Sequence, residues 1–254
     1  MEQPLLVEKR GHILVLTLNR PELKNAASFE MATEMAQALD QLETDDELRI
    51  AVITGAGGNF CTGMDLKGFL QGKRPSIPGR GFCAVTEAPP KKVLIAAIEG
   101  YALAGGFELA LGCDLIVASN QAKFGLPEVK RGLVAAAGGL LRLPKRLPYH
   151  VAMEFILTGN MLSAEAAHRH GLINRLTEPG QALESALLLA EEVAANGPLA
   201  LMASKRIVRE SGDWTESDMF NKQREIVTPL FESEDAQEGA RAFAEKRKPV
   251  WKNR

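Results

Sequence analysis

The sequence predicts an α/β fold in which strands alternate with helices and both faces of the sheet are covered. Several short apolar runs, rich in β-branched residues, have the length of buried strands. Turn signals follow these runs, and amphipathic helical patterns follow the turns. With 254 residues and 46% apolar content, the chain can bury a full core. The strand candidates are residues 12–19, 49–54, 93–98, 114–118 and 172–176.

The first half of the chain shows this alternation most clearly. After the run at 12–19, Ser28 can cap a helix, because a serine side chain accepts a hydrogen bond from an amide of the first turn. The apolar face of that helix consists of Ala32, Met35, Ala36, Leu39 and Leu42. The second strand ends in the run Gly55-Ala56-Gly57-Gly58. This run is not a dinucleotide-binding motif, since the pattern GxGxxG would need glycine where Phe60 stands.

Residues 71–90 are the least regular stretch of the chain. They contain four prolines and three glycines: Pro75, Pro78, Pro89, Pro90, Gly72, Gly79 and Gly81. We expect a mobile insertion over a substrate channel, because long irregular loops often serve a function.

From about Gln181 the strand candidates stop and amphipathic helices follow. Their apolar faces need something to cover them beyond the α/β core. The breaks between them fall at Asn196-Gly197-Pro198, Ser211-Gly212-Asp213 and Ser233-Glu234-Asp235.

Composition limits the possible partners. Lys and Arg total 30 against 32 Asp and Glu, a formal charge of −2, so the overall charge favours neither nucleic acid nor an anionic membrane. The cysteines Cys61, Cys83 and Cys113 contain no CxxC pair, which indicates reduced, buried thiols and no zinc site. The first ten residues include acids and no long apolar run, so we expect a cytoplasmic protein.

Two glutamates are the strongest functional signal. Glu108 lies in Gly100-Tyr101-Ala102-Leu103-Ala104-Gly105-Gly106-Phe107-Glu108, directly after a strand candidate. Glu128 ends Phe124-Gly125-Leu126-Pro127-Glu128, after the next strand candidate. Backbone amides at a helix start can meet a carboxylate and a substrate oxygen in one crevice, which suits acid–base chemistry beside a carbonyl.

Each glutamate has a second interpretation that stays open at this stage. Glu108 could be a first-turn acid that complements the helix dipole, although its small, apolar neighbours favour a buried carboxyl with a raised pKa. Glu128 could form a surface ion pair with Lys130 or Arg131.

The motifs resemble, in order along nearly the whole chain, those of the crotonase (enoyl-CoA hydratase/isomerase) superfamily. The resemblance implies a spiral of repeated strand–strand–helix turns over residues 1–195. It implies a helical region at 196–254 that covers the active site and joins subunits into a homotrimer or a dimer of trimers. The matching segments are Arg20-Pro21, Asn25-Ala26, Thr54-Gly55, 60–66, 100–108, 124–128, Ala137-Gly138-Gly139, Glu238-Gly239 and 241–247.

By the same resemblance, the expected reaction is the reversible hydration of a trans-2-enoyl-CoA to a 3-hydroxyacyl-CoA. Glu108 and Glu128 would be the paired acids, since Glu128 stands 20 residues after Glu108, as the family's pair does. The amides of Met64 and Gly105 would form the oxyanion hole. Methionine at position 64 departs from the smaller residue common there, which implies a reshaped acyl pocket. Coenzyme A is part of the substrate, and no other cofactor or metal is expected.

The resemblance also implies contacts with coenzyme A, largely through main-chain atoms. Asp65 could equally be a helix N-cap, and Lys24 and Lys67 could be solvated charges. Phe243 could simply anchor the last helix, with Lys246 in water. The expected contact residues are Lys24, Ala26, Thr62, Asp65, Leu66, Lys67, Tyr101, Phe243 and Lys246.

Other functions of the same fold remain open. An isomerase would use the same oxyanion hole, and the segments 126–128 and 141–145 are also similar to carnitinyl-CoA dehydratases. An RNA-binding member would need a basic patch, which the near-neutral charge disfavours. A scaffold without activity is disfavoured because both glutamates are present.

Overall fold

The computed structural model describes residues 3–254, which contain eleven strands and ten α-helices. The strands are β1 (Leu5–Arg10), β2 (Ile13–Leu18), β3 (Ile50–Gly55), β4 (Ser76–Ile77), β5 (Gly81–Phe82), β6 (Val93–Ile98), β7 (Tyr101–Leu103), β8 (Leu115–Ser119), β9 (Lys123–Gly125), β10 (Met161–Ser163) and β11 (Arg175–Thr177). The helices are α1 (Phe29–Thr44), α2 (Leu66–Leu70), α3 (Gly105–Gly112), α4 (Gly139–Arg142), α5 (Tyr149–Thr158), α6 (Ala164–Arg169), α7 (Ala182–Ala194), α8 (Pro198–Glu210), α9 (Met219–Phe231) and α10 (Glu234–Ala244).

The main sheet has the strand order β1-β2-β3-β6-β8-β11, parallel except for the antiparallel pair β1–β2. Its side chains alternate between two cores. Leu14, Ile53 and Leu94 point to the side of α1 and α3, whereas Val15 and Val52 point to α7. The prediction of an α/β core with both sheet faces covered is therefore confirmed.

A second layer of short strands explains the spiral. β7 pairs with β9 in parallel, and β10 pairs with β9 on the other side. Parallel bridges extend this layer from Ala102 to Cys61 and from Met64 to Ala27. Each turn of the chain thus contributes one strand to the main sheet, one short strand or bridge to the second layer, and then a helix or 3₁₀ turn. This is the crotonase-like architecture that the sequence predicted.

The strand and helix predictions are confirmed for the longer elements. The strands at 12–19, 49–54, 93–98 and 114–118 correspond to β2, β3, β6 and β8. Ser28 caps α1, accepting a hydrogen bond from the Met31 amide at 3.2 Å. The last strand lies later than expected, since β11 begins at Arg175 and residues 172–174 precede it. Helices alone follow residue 181, with breaks at the three predicted places.

The prediction of an irregular insertion at 71–90 is wrong for its middle part. β4 and β5 form a small antiparallel hairpin there, and residues 82–86 are buried. The Phe82 ring lies against Gly105, where an added Cβ would come within 2.7 Å of it. Composition suggested a loop, but apolar side chains of this segment complete the core beside α3.

The C-terminal region is tied to the core at its end. Trp251 donates a hydrogen bond from Nε1 to the Ala195 carbonyl at 2.8 Å, and Asp235 accepts from the amides of Lys252 and Asn253. In contrast, α9 contains no buried residue. Large exposed side chains along α9 and α10 include Phe220, Phe231 and Phe243.

No single helix within residues 3–254 is long and apolar enough to cross a membrane. The pair Ala182–Ala194 and Pro198–Asp213 meets the length and composition criteria only when taken together, and it is bent by 105°.

Asn25 joins two loops that the sequence places far apart. The Asn25 side chain is fully buried, and its backbone has a positive φ of 56°. Its Oδ1 accepts from the Arg20 amide at 2.9 Å, and its Nδ2 donates to the carbonyls of Ala56 at 2.8 Å and Asn59 at 2.7 Å. The loop at 20–27 is thereby fixed against the end of β3.

We expect Asn25→Ala to lower the free energy of unfolding by about 2–4 kcal/mol, because it removes three bonds and leaves buried backbone groups without partners. Urea unfolding measures the change. Asn196→Ala is the matched control, since Asn196 also bonds to carbonyls but is exposed. Equal losses in the two variants would contradict the bridging role of Asn25.

Candidate active site

Glu108 lies in the first turn of α3, a helix whose eight residues are all buried. The side chain is only 2% exposed. Its Oε1 accepts two hydrogen bonds, from the amides of Ala137 at 2.7 Å and Gly139 at 2.8 Å. Burial raises the pKa of Glu108, while these amides and the charge of Arg142 oppose the rise. The raised pKa expected from the apolar neighbours is confirmed, and the solvated first-turn acid is excluded.

Glu128 stands in the 3₁₀ turn Pro127–Arg131 that follows β9. Its Oε2 is buried and has no hydrogen-bond partner within residues 3–254. Burial raises the pKa of Glu128, and the nearby charge of Glu108 raises it further. Lys130 bonds instead to Asn160, at 3.0 Å. The surface ion pair with Lys130 is therefore wrong, and Glu128 keeps a free oxygen.

The second layer of strands brings the two carboxyls together. β7 and β9 are parallel neighbours, so their carboxyl ends meet at one edge. Glu108 follows the first of these ends and Glu128 follows the second. The charge of Glu108 acts on Glu128, and two carboxyls coupled in this way share one proton over a wide pH range. The pair is thus equipped to act as one base and one acid.

Two backbone amides lie beside this pair. The segment 61–64 runs parallel to 101–105, held by the Cys61 amide on the Tyr101 carbonyl at 3.0 Å and the Leu103 amide on the Cys61 carbonyl at 2.9 Å. Neither the Met64 nor the Gly105 amide donates a hydrogen bond to any group in residues 3–254. Free amides at a helix start can stabilise a developing oxyanion.

Glycines make this close approach possible. Gly63 has φ of 99°, and a Cβ there would lie 2.9 Å from the Ala104 side chain and 3.3 Å from the Gly105 nitrogen. A Cβ on Gly106 would overlap the Cys61 carbonyl oxygen. Ala104 itself has φ of 50° and ψ of −130°, a sparsely populated conformation that costs an alanine about 1–3 kcal/mol. The strained backbone at Ala104 turns β7 sharply into α3.

The residues expected to contact coenzyme A fall into groups. The Lys24 ammonium lies over the Tyr101 ring, 4.9 Å from its centroid, and Thr62 donates to the Lys24 carbonyl at 3.3 Å. Lys24, Ala26, Thr62 and Tyr101 therefore lie close to the free amide of Met64. Leu66 is 58% exposed in the first turn of α2.

Asp65 has a structural role. Its Oδ1 caps α2, accepting from the Lys67 amide at 3.0 Å, and its Oδ2 forms an ion pair with Arg20 at 2.9 Å. The N-cap interpretation is thus confirmed. Asp65, Lys67 and Arg20 line a surface cavity of about 870 Å³ together with Lys73. Neither Glu108 nor Glu128 lines that cavity.

Phe243 and Lys246 lie apart from the other candidates. Phe243, in α10, is 88% exposed. Lys246 follows the helix end and is also exposed. The hydrogen bonds of Trp251 and Asp235 hold this region near Ala195, the residue directly after α7. Their contact with coenzyme A stays a prediction.

The three cysteines are buried thiols, as expected. Burial raises the pKa of Cys61 and Cys113 to about 12, so both stay protonated and unreactive near neutral pH. Within the described part of the chain, no three His, Cys, Asp or Glu side chains are grouped so as to hold a metal ion.

The sequence did not reveal the roles of several residues. Ala137 and Gly139 act through their amides, which carry no side-chain signal. The segment Ala137-Gly138-Gly139 was identified only as one that matches the family, without its partner Glu108, which lies about thirty residues earlier. Asn25 and Arg20 were noticed only as motif residues, although they bind the loops beside the site.

The fold and the site geometry together define a class of enzyme, and comparison with known proteins agrees. The sequence profile of the family "Enoyl-CoA hydratase/isomerase" matches residues 8–254. The chain belongs to this family, the crotonase superfamily. The resemblance seen in the sequence is confirmed.

Individual relatives cover the whole chain. It is 44% identical to enoyl-CoA hydratase EchA19 of Mycobacterium tuberculosis, over 98% of this chain and 96% of that protein. It is 41% identical to carnitinyl-CoA dehydratase of Proteus mirabilis, over the full length of both. A crystal structure of an enoyl-CoA hydratase from Mycobacterium tuberculosis superposes with a TM-score of 0.98 at 56% identity, over all of both chains.

The raised pKa of Glu108 predicts a specific dependence of stability on pH. The pKa of Glu108 in the folded state lies above its ordinary value of 4.5, so at pH values between the two the folded state binds more protons than the unfolded state. The contribution of Glu108 to the free energy of unfolding is therefore highest below pH 4.5 and falls as pH rises toward the folded pKa. Relative to Glu108→Gln, we expect the wild type to lose stability as the pH rises from about 4.5 toward the raised pKa of Glu108 in the folded state.

Chemical denaturation at a series of pH values measures this difference. Glu216→Gln is the control for the loss of one negative charge, since Glu216 is exposed on the C-terminal region. A stability difference between wild type and Glu108→Gln that does not change with pH would contradict the raised pKa.

Proposed function

We propose that this enzyme catalyses the reversible hydration of a trans-2-enoyl-CoA to a 3-hydroxyacyl-CoA. One observation carries the proposal: the buried carboxyl of Glu108 and the half-buried carboxyl of Glu128, both with raised pKa, stand beside two backbone amides that have no hydrogen-bond partner within residues 3–254. The relatives named as enoyl-CoA hydratases support the substrate class. Turnover of crotonyl-CoA, followed by loss of the enoyl-thioester absorbance, tests it.

The amides of Met64 and Gly105 would bind the thioester oxygen. When water attacks C3, charge moves through C2 onto that oxygen and gives an enolate. Amides already oriented toward this position need no reorganisation during the step, and losing one such donor costs about 10²–10³ in rate. The N-terminus of α3 adds its dipole at Gly105.

The surroundings of the two carboxyls suggest which one holds the shared proton. Two amides and the charge of Arg142 favour ionised Glu108. Glu128 has a buried oxygen without a partner and is repelled by Glu108. We therefore assign Glu108 as the base that takes a proton from water, and Glu128 as the acid that delivers a proton to C2. A proton then returns from Glu108 to Glu128 before the next turnover.

Dehydration of a carnitinyl-type thioester is the second candidate. It rests on relatives named carnitinyl-CoA dehydratase, with 41% and 42% identity over the full chain. The same acids and amides would act in the reverse direction. An isomerase typically keeps fewer of the two acids, so the presence of both disfavours it. A panel of enoyl-, 3-hydroxyacyl- and carnitinyl-CoA substrates separates these activities.

The proposal includes no metal and no cofactor besides the coenzyme A of the substrate. It includes assembly through the C-terminal helices into a homotrimer or dimer of trimers, because α9 has no buried residue and large apolar side chains of α9 and α10 are exposed in the single chain. The cytoplasmic location stays a prediction from the sequence.

Glu108→Gln and Glu128→Gln should each lower kcat for hydration by about 10²–10⁴, because an amide of the same shape cannot exchange the proton. The fold and the affinity for CoA thioesters should be retained. Steady-state kinetics with crotonyl-CoA and calorimetric binding of a CoA thioester provide the two measurements.

Glu216→Gln is again the control and should keep the wild-type rate. A glutamine variant that hydrates crotonyl-CoA at the wild-type rate would remove its glutamate from the chemistry. A wild-type protein without hydratase activity on any enoyl-CoA would overturn the proposed function itself.

The C-terminal tail predicts an effect on substrate binding alone. The proposal places Phe243 over the adenine and Lys246 beside a phosphate of coenzyme A, which can be bound to a neighbouring subunit. In that case Phe243→Ala and Lys246→Ala should raise KM much more than they lower kcat. The nucleotide is remote from the bond changes and is bound alike in the ground and transition states. Added salt should weaken the Lys246 effect.

Lys222→Ala, an exposed lysine on α9, is the matched control for charge. Light scattering on each variant shows whether assembly is intact. An unchanged KM in a correctly assembled Lys246→Ala variant would leave this lysine in solvent, and a clean monomer of wild type at micromolar concentration would contradict the trimer.

A further inference from the structure

We propose that Arg142 is a positioning residue of the acid–base site, whose guanidinium joins the turn that holds Glu108 to the segment that packs under Gly105. The inference rests on the proposed function and adds to it a residue with no direct contact to substrate. The contacts that Arg142 makes on its two sides carry the proposal.

On one side, Arg142 holds the turn at 137–139. Its Nη1 donates to the Ala137 carbonyl at 3.5 Å, while the amide of the same residue donates to Glu108 at 2.7 Å. Ala137 is thus held at its carbonyl by the guanidinium and at its amide by the carboxyl. A displacement of this turn would move the hydrogen bonds on Glu108.

The conformation of Gly138 shows how closely the guanidinium packs. Gly138 has φ of 97°, and a Cβ there would overlap Nη1 of Arg142. On the opposite side of the turn, a Cβ on Gly139 would lie 3.1 Å from Oε1 of Glu108. The turn therefore lies between Arg142 and Glu108, with no room for a side chain at Gly138 and only tight space for one at Gly139.

On the other side, Arg142 donates from Nη2 to the Thr86 carbonyl. The Thr86 hydroxyl accepts from the Phe82 amide at 2.8 Å, and the Phe82 ring packs against Gly105. The guanidinium of Arg142 therefore links the segment 82–86, which packs against Gly105, to the turn at 137–139, which binds Glu108. A guanidinium suits this role, because its donors form a fixed fork.

The charges around Arg142 come from several elements. Glu108 faces it from α3 and Arg209 from α8, while the Cys113 thiol, which follows α3, stays protonated near neutral pH. Arg146 lies one turn further along, and Lys205 is paired with Asp114 at 2.6 Å. Glu108 is the carboxyl in this group that has no cationic hydrogen-bond partner within residues 3–254. The charge of Arg142 lowers the pKa of Glu108 against the effect of burial, so it favours the ionised base.

Three variants test the proposal. Arg142→Met keeps the apolar stem and removes the charge and the donors. We expect kcat to fall about 10- to 100-fold with KM nearly unchanged, because the carboxyl and the amide lose alignment. We also expect the acid limb of the kcat–pH profile to move to higher pH, because Glu108 loses a nearby cation.

Arg142→Lys keeps the charge but not the fork. It should therefore keep the wild-type acid limb while recovering only part of kcat. Arg146→Met is the matched control: it removes a guanidinium that lines the same cavity of about 590 Å³ behind Arg142. That variant should match wild type in kcat and in pH profile.

Each outcome decides the proposal. An Arg142→Met protein with wild-type kcat and acid limb overturns it, as does one that loses thermal stability alone. If Arg142→Met does not fold, Arg142→Lys decides: unchanged kcat overturns the proposal, and reduced kcat with an unchanged acid limb supports it.

Failure of the proposed function is separately visible. It would show as inactive wild type or as a fully active Glu108→Gln variant. In that case the pH dependence of unfolding still tests the link between the two residues. The difference in the free energy of unfolding between a protein with Glu108 and its Glu108→Gln variant changes with pH up to the folded pKa of Glu108. This pH-dependent range should extend to higher pH when Glu108→Gln is made in the Arg142→Met protein than when it is made in wild type, and an unchanged range would overturn the link.

Discussion

The burial of the Glu108 carboxyl is the constraint on which the rest of the site depends. A carboxyl inside a fully buried helix loses its hydration, and this loss disfavours the charged form. Two amides of the turn at 137–139 compensate in part, and both bind the same oxygen. The other oxygen of Glu108 accepts no hydrogen bond within residues 3–254. The site therefore keeps one carboxyl oriented and still chemically available.

The spiral supplies the geometry for this arrangement. In each turn the chain crosses the main sheet, forms a short second-layer strand or bridge, and then enters a helix or tight turn. Since the second-layer segments are parallel neighbours, the residues that follow them meet at one edge. Met64, Glu108 and Glu128 each come just after such a segment. Short backbone connections between packed strands hold these groups, and such supports are more rigid than long loops.

The sequence predicted the parts of the fold that depend on local pattern. The strands β2, β3, β6 and β8 are apolar runs of five or six residues, and the helices after residue 181 are separated by clear breaks. The second-layer strands β7, β9 and β10 have three residues each, too few to show a period. Residues 82–86 are buried by contacts that proline and glycine content does not reveal. The glutamates were found through the family motifs, whereas their partners are tertiary contacts: the amide of Ala137 is 29 residues from Glu108 in sequence.

The proposed acid–base chemistry and the proposed binding of the nucleotide require different degrees of structural precision. Proton transfer and oxyanion binding need alignment within fractions of an ångström, and the groups assigned to them are supported inside one continuous core. Binding the distant nucleotide tolerates larger displacements, because it contributes equally to the ground and transition states. Phe243 and Lys246 suit the second demand: their region is fastened through Trp251 and Asp235, while their own side chains are exposed. A contact across a subunit boundary requires a segment that is held in place and side chains that remain exposed. Assembly would therefore affect substrate affinity, while the geometry of the two glutamates would stay a property of the single chain.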